Sequence, residues 1–212
     1  MNNQKSIFAD VPVSHLPIKP EAITKYNRNR RELENFLVFA IVVAGKKSDV
    51  QASKLREFYA SRVLHDADHM GLFDYIRYLK TNSALVPELQ LVKMGQYIRI
   101  SNALSELVDK KLNLFTCSLE DLVSVKGISL KTANFFLTHT RATYSVPVLD
   151  THVLKFLKDQ GVENVPKSTP QVVKVYNFFA DKFVGIAKSL GMTVADLDLQ
   201  VWKQYSTSKI RG

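Results

Sequence analysis

Two residues stand out for chemistry, an amine and a carboxylate: Lys131 and Asp150, both in the stretch from Leu119 to Leu157. Two short amphipathic segments there flank a glycine-containing hairpin, Lys126-Gly127-Ile128-Ser129. Lys131 opens the second segment. Asp150 opens the next one, after a loop that returns its carboxylate toward the lysine. The first turn of a helix is its positive end, so a cation there is disfavoured and an ammonium gives up its proton more readily. That is what an amine nucleophile needs. The hairpin also directs backbone N–H groups outward at a helix start, an anion site that suits a phosphate. On spacing alone, an ordinary helical hairpin with a surface lysine is the commoner arrangement. The rest of the chain has to decide between the two.

The elements that must position this pair are legible from their caps. Ser118 precedes Leu119-Glu120-Asp121, an N-cap with acids in the first turn. Gly127 suits a tight turn with positive φ. Ser129 caps a helix predicted over Leu130–Thr140, and Asp150 caps one from Thr151 to about Gln160. Upstream, Pro12, Pro17 and Pro20 mark an extended arm, followed by a short helix expected within 21–29. Arg30 to Ala44 is a strong helix whose apolar run is continuous rather than striped, the pattern of a helix buried on most sides. Gly45-Lys46-Lys47 ends it, and Ser48-Asp49 caps a helix reaching about Leu64. Further helices are predicted over 71–80, 89–107 (with Gly95 a weak point), 171–190 and 193–206, with a loop over 81–87. There is no convincing strand and no internal repeat, so the class is all-α.

Composition narrows the partners. The 212 residues suffice for one large domain or two small ones, and the 46% hydrophobic content is that of a globular protein. A net charge of +9 favours a polyanionic partner, nucleic acid before membrane, since no lipid-anchoring motif or basic amphipathic tail is present. The longest apolar run, Phe36 to Ala44, is far short of the ~20 residues of a membrane span. Cys117 is the one cysteine, which excludes an intramolecular disulfide and any four-cysteine iron–sulfur or zinc site and fits a reducing compartment. Met1 to Asp10 lacks the pattern of an export signal, so a cytoplasmic location is expected. In His65-Asp66-Ala67-Asp68-His69, two histidines at i and i+4 are interleaved with acids. A metal site there needs ligands from other helices, and the remaining histidines are His15, His139 and His152. A solvated helix end is the expectation, with no metal.

Lys131-Thr132-Ala133-Asn134 after a hairpin, with Leu149-Asp150-Thr151-His152 downstream, resembles the helix-hairpin-helix DNA glycosylases of the endonuclease III superfamily. The run from Asn35 to Val50 is similar to that superfamily's buried helix, DNA-inserting turn and following cap. The likeness therefore covers most of the chain from about residue 31. Leu190 to Trp202 resembles the final helix of a narrower group, the archaeal-type 8-oxoguanine DNA glycosylases, which lack an iron–sulfur cluster. The chain departs from the pattern at three places. Ser129 stands where a second hairpin glycine is usual, Lys203 where an aromatic often follows the tryptophan, and Lys209 is followed by Ile210-Arg211-Gly212 rather than ending the chain.

The resemblance implies a two-lobed fold: residues 31–140 in one lobe, residues 1–30 with 141–212 in the other, and the active site in the cleft between. It gives Lys131 the role of nucleophile and Asp150 that of stabilising charge on the sugar and assisting proton transfers. Lys126, Gly127, Ile128 and Ser129 would bind a DNA phosphate. Lys46 stands where the superfamily fills the hole left by a flipped base, with Lys47 beside it in the same basic loop. Asp198 and Trp202 fall at the base pocket. Implied too are double-stranded DNA with a damaged or modified base as partner, a monomer, nucleoid association in a prokaryote, and no cofactor beyond a monovalent cation that such hairpins can hold. Oxidised guanine is the first substrate expectation, another modified or oxidised base the second. Two readings from other classes stay open: a non-catalytic hairpin that only binds DNA, and a metal-dependent phosphohydrolase built on His65-Asp66.

Overall fold

A computed structural model describes residues 18–207. Its helices are α1 (Arg30–Val43), α2 (Ser48–Ala60), α3 (Leu72–Thr81), α4 (Leu85–Leu91), α5 (Tyr97–Lys110), α6 (Leu119–Val123), α7 (Leu130–Thr140), α8 (Thr151–Asp159), α9 (Val173–Ser189) and α10 (Val194–Thr207). Short 3-10 turns lie at Pro20–Ala22 and Ser61–His65. No strand occurs among the described residues, and the class is all-α as expected. None of these helices is long and apolar enough to cross a membrane. Pro12, His15 and the tail with Lys209 lie outside the described residues.

Side-chain caps set the starts of α1, α6, α7 and α8. Asn29 starts α1 with a reciprocal box: its side chain accepts the Glu32 N–H at 3.0 Å, and Glu32 accepts the Asn29 N–H at 2.8 Å. Ser118 and Asp121 form the same box at α6. Three expectations differ from the fold. Residues 21–29 hold no α-helix, only the turn at Pro20–Ala22. The expected loop over 81–87 already contains the start of α4, because Pro87 falls in its first turn, where a missing N–H is harmless. The helix expected over 89–107 is broken between α4 and α5, where Lys93, Gly95 and Gln96 all take positive φ (52°, 72° and 49°).

The chain divides into two compact units. One holds residues 18–20, Asn29–Cys117 and Val125–Gly127. The other holds Glu21–Arg28, Ser118–Ser124 and Ile128 onward. The resemblance implies a boundary near residue 140; in this division α6 and α7 go with the C-terminal segment. In the first unit α1 is buried from Leu33 to Val42, as its unbroken apolar run implies, and packs against α2, α3 and α5. Phe36, Phe39, Phe58 and Tyr75 fill this core. In the second unit Leu149, Val153, Leu154 and Leu157 meet Tyr176, Phe179 and Phe183 of α9 and Val194, Leu197 and Val201 of α10. Each such side chain contributes about 1.5–3 kcal/mol when fully buried. α10 packs on α8, α9 and α7, and α6 packs on α7.

Candidate active site

The hairpin is built as its residues require. Gly127 sits at φ +93°, and a Cβ there would lie 2.9 Å from the Ala103 Cβ, so only glycine fits. The backbone N–H groups of Lys126, Gly127, Ile128 and Ser129 find no acceptor among the described residues. Lys126, Gly127 and Ser129 are exposed, while the Ile128 side chain is buried. Ser129 caps α7, its Oγ accepting the Thr132 N–H at 3.3 Å. Donors free at a helix start are an anion site.

Lys131 is the second residue of α7 and is half-buried. Its ammonium makes no hydrogen bond or ion pair among the described residues, so no carboxylate holds it in place. Asp150 is the N-cap of α8. Its Oδ1 accepts two N–H groups, from His152 at 2.8 Å and Val153 at 2.9 Å. Its Oδ2 takes no partner among the described residues. The cap therefore occupies one oxygen and leaves the other for chemistry. Lys131 and Asp150 head neighbouring helices in the chain and belong to the same unit.

Asp198, expected at the base pocket, is turned into the protein at 6% exposure. Oδ1 accepts the Val148 N–H at 3.0 Å, and Oδ2 lies 3.4 Å from Nε2 of the fully buried His139. That separation is longer than a good hydrogen bond, and Nε2 has no better partner among the described residues. On the other side of the ring, Nδ1 meets Thr24 Oγ1 at 2.8 Å. The His139 carbonyl accepts from Lys25 N at 3.1 Å and Arg28 Nη1 at 2.7 Å. Burial pushes the Asp198 carboxyl up; His139 and the Val148 N–H oppose this, and Asp150 adds to it. The physical reason for the inward turn is the Val148 N–H, a buried donor that needs an acceptor. Trp202 lies half-buried on α10.

Lys46 and Lys47 lie in the first unit, between α1 and α2. The Lys46 ammonium donates to the Met94 carbonyl at 2.6 Å and lies against Gly95, where a Cβ would come within 3.2 Å of it. Partial burial, then the charges of Arg99 and Lys54, push this ammonium below its ordinary value. Arg99 donates to the Ile41 carbonyl at 3.1 Å and to Gln96 Oε1 at 2.6 Å. Lys47 is exposed at the N-cap position of α2 and makes no capping bond. Sequence reasoning missed Arg99, whose signal was only a cation in an amphipathic helix. It also missed Tyr176, which reads as one more apolar residue of α9 but bonds the loop before Asp150.

His65 is half-buried, while Asp66 beside it is exposed. Its Nε2 meets Glu88 Oε2 at 3.1 Å, and its ring packs against Tyr75 and Tyr78 at centroid distances of 6.0 and 5.8 Å. His69 is exposed beside Asp68. Among the described residues no three histidine, cysteine or acidic side chains converge as metal ligands.

Comparison with known proteins adds a distant relationship. The chain is 25% identical over 115 residues to an "8-oxoguanine DNA glycosylase/AP lyase" of Saccharolobus solfataricus. The match covers 54% of this chain and 54% of that protein, so it spans about half the length of the relative. No family model matches, and no solved structure matches. An all-helical chain with a lysine and a carboxylate heading adjacent helices is thus distantly similar to a DNA glycosylase.

Proposed function

We propose that the protein is a bifunctional DNA glycosylase and abasic-site lyase that excises a damaged base from double-stranded DNA. The observation that carries this reading is a lysine at the head of α7 with no counter-ion among the described residues and, at the head of the next helix, a capping aspartate with one oxygen that takes no partner among them. A glycosylase must first take the base out of the duplex. The neutral Lys131 amine then attacks the sugar C1′ as the bond from C1′ to the base breaks with its electrons leaving on the base, which takes a proton from water; the nitrogen of the new C1′–N bond loses a proton through Asp150 to O4′ as the C1′–O4′ bond opens, leaving a Schiff base between Lys131 and C1′. The free Asp150 oxygen faces the positive charge that builds on the sugar and relays the lysine proton. Loss of a C2′ proton and cleavage of the C3′–O bond, a β-elimination, cut the strand on the 3′ side.

Besides this pair, the N–H groups of residues 126–129, without an acceptor among the described residues, suit a DNA phosphate, and Lys126 adds charge. Lys46 and Lys47 supply a basic turn suited to the space a flipped base leaves. The carbonyls of Lys126 and Gly127 accept no hydrogen bond from the described residues, which suits a monovalent cation at the hairpin; no step runs through it. Oxidised guanine is the first substrate, a choice supported by the activity for which the relative is named and by the likeness of the Trp202 helix. The enzyme acts as a monomer.

Borohydride trapping on duplexes carrying a panel of lesions tests this. The expected result is a covalent adduct on an oxidised-guanine duplex that disappears in Lys131→Gln. No adduct on any lesion or abasic site would sink the lyase assignment, and trapping on a different lesion would rename the base.

A further inference from the structure

The loop that delivers Asp150 is held almost wholly by side chains. Among the described residues, Val146 to Leu149 make no backbone hydrogen bond to any other segment; their one backbone bond there is from Asp150 N to the Val148 carbonyl, at 2.6 Å. The remaining bonds come from side chains distant in sequence. Thr138 of α7 donates to the Val146 carbonyl. Asp198 of α10 accepts the Val148 N–H at 3.0 Å. Thr169 donates to the Leu149 carbonyl at 2.7 Å. Tyr176 of α9 does two jobs: its hydroxyl donates to the Pro147 carbonyl at 2.8 Å and accepts the Leu149 N–H at 3.1 Å. It is 1% exposed, so neither backbone group has water to fall back on.

We propose that Tyr176 is a positioning residue for Asp150, bolting residues 147 and 149 together so that the free carboxylate oxygen keeps its aim. This rests on the catalytic reading of Lys131 and Asp150. A phenylalanine in the same place would fill the core equally well and leave two buried backbone groups unpaired. The hydroxyl is thus needed by the loop and not by the packing. Asn134, one turn beyond Lys131 on α7, joins the same network. It accepts the Tyr144 hydroxyl at 2.5 Å, and with the Leu149 N–H it restrains the upward push that burial gives the Tyr176 phenol. Asp150 follows Leu149 directly, so any relaxation of the 147–149 backbone turns the head of α8 with it.

The test uses a duplex with a single abasic site, which needs no knowledge of the excised base. Single-turnover strand cleavage, borohydride trapping and DNA affinity are measured for wild type, Tyr176→Phe, Asp150→Asn and the double variant. Tyr176→Phe should slow cleavage and trapping by at least about tenfold, with DNA affinity within about twofold of wild type. The double variant should be no slower than Asp150→Asn, because a misplaced aspartate and an absent one fail alike. A merely structural tyrosine predicts multiplied rate losses or a Tyr176→Phe rate within about twofold of wild type, and either result overturns the proposal. If Tyr176→Phe does not fold, Thr169→Val, which frees only the Leu149 carbonyl, is put through the same cycle with the same criteria. A wild-type protein that neither cleaves nor traps the abasic duplex removes the catalytic reading itself, which separates that failure from this one.

Discussion

Asp150 receives the Val153 N–H on Oδ1, the same oxygen that receives the His152 N–H, and Oδ2 is left out of the cap. Capping and catalysis can therefore be separated by two substitutions. Asparagine keeps the accepting oxygen and caps as well as aspartate, whereas alanine loses about 1 kcal/mol. Asp150→Asn should keep its Tm, Asp150→Ala should fall by about 2–4 °C, and both should lose about a hundredfold or more in single-turnover base excision. Equal activity in Asp150→Asn and wild type would leave this residue only its cap.

Lys131 has no partner to lose among the described residues. Lys131→Gln should melt within about 1–2 °C of wild type, since an unpaired, partly exposed side chain contributes little to stability. The same variant should form no borohydride-trapped adduct. Calorimetry and denaturing gels on one preparation check both halves.

Gly127→Ala meets two obstacles, a positive φ and a Cβ placed 2.9 Å from Ala103. Together these should cost about 1–3 kcal/mol, lowering Tm by roughly 2–10 °C. Affinity for undamaged duplex should weaken as well, because the turn that offers the N–H groups must shift. Thermal melts and a gel-shift titration read the two effects.

The Asp198 carboxyl is pushed above its ordinary value of 3.8, first by burial, with His139 and the Val148 N–H pulling the other way. A carboxyl whose folded pKa is raised stabilises the fold fully below its unfolded value, and that stabilisation is lost as pH rises through the folded value. Asp198→Asn still offers an oxygen to Val148 but does not titrate. Its Tm relative to wild type should therefore be most favourable near neutrality and decline as pH falls toward the ordinary carboxylate range. The opposite trend would mean that the pair with His139 holds the carboxylate charged.

Lys46 should give up its bond to the Met94 carbonyl when DNA binds. Lys46→Gln removes one phosphate-neutralising charge, so the slope of log affinity against log salt should fall by about 0.9. An unchanged slope would place this lysine off the DNA.

The caps and the apolar run were readable because each depends on residues adjacent in the chain. Ser118, Ser129 and Asp150 declare helix starts within three residues, and the unbroken apolar stretch of α1 declares burial. The break between α4 and α5 was only partly legible: Gly95 hinted at it, but Lys93 and Gln96 take positive φ with no glycine to advertise it. Pro87 read as a loop residue because its tolerance in a first turn depends on where the helix begins. The Asp150 loop was illegible for a deeper reason. Its donors and acceptors are backbone groups, which carry no residue identity, and their partners lie 8 to 50 positions away. Only polar residues on buried helix faces, such as Asp198 and His139, pointed to it.

The bond from Arg28 to the His139 carbonyl joins residues 111 apart, and that from Thr24 to His139 spans 115. The second unit thus opens with a short segment, is interrupted by most of the first, and resumes at Ser118. On a growing chain, Asn29–Cys117 emerges complete while Glu21–Arg28 still waits for its partners. Closing so long a loop has an entropy penalty that rises only slowly with length, but it makes the step late and slow. The head groups of α7 and α8 should accordingly reach their final places last, with activity recovering after the bulk of the helical signal during refolding.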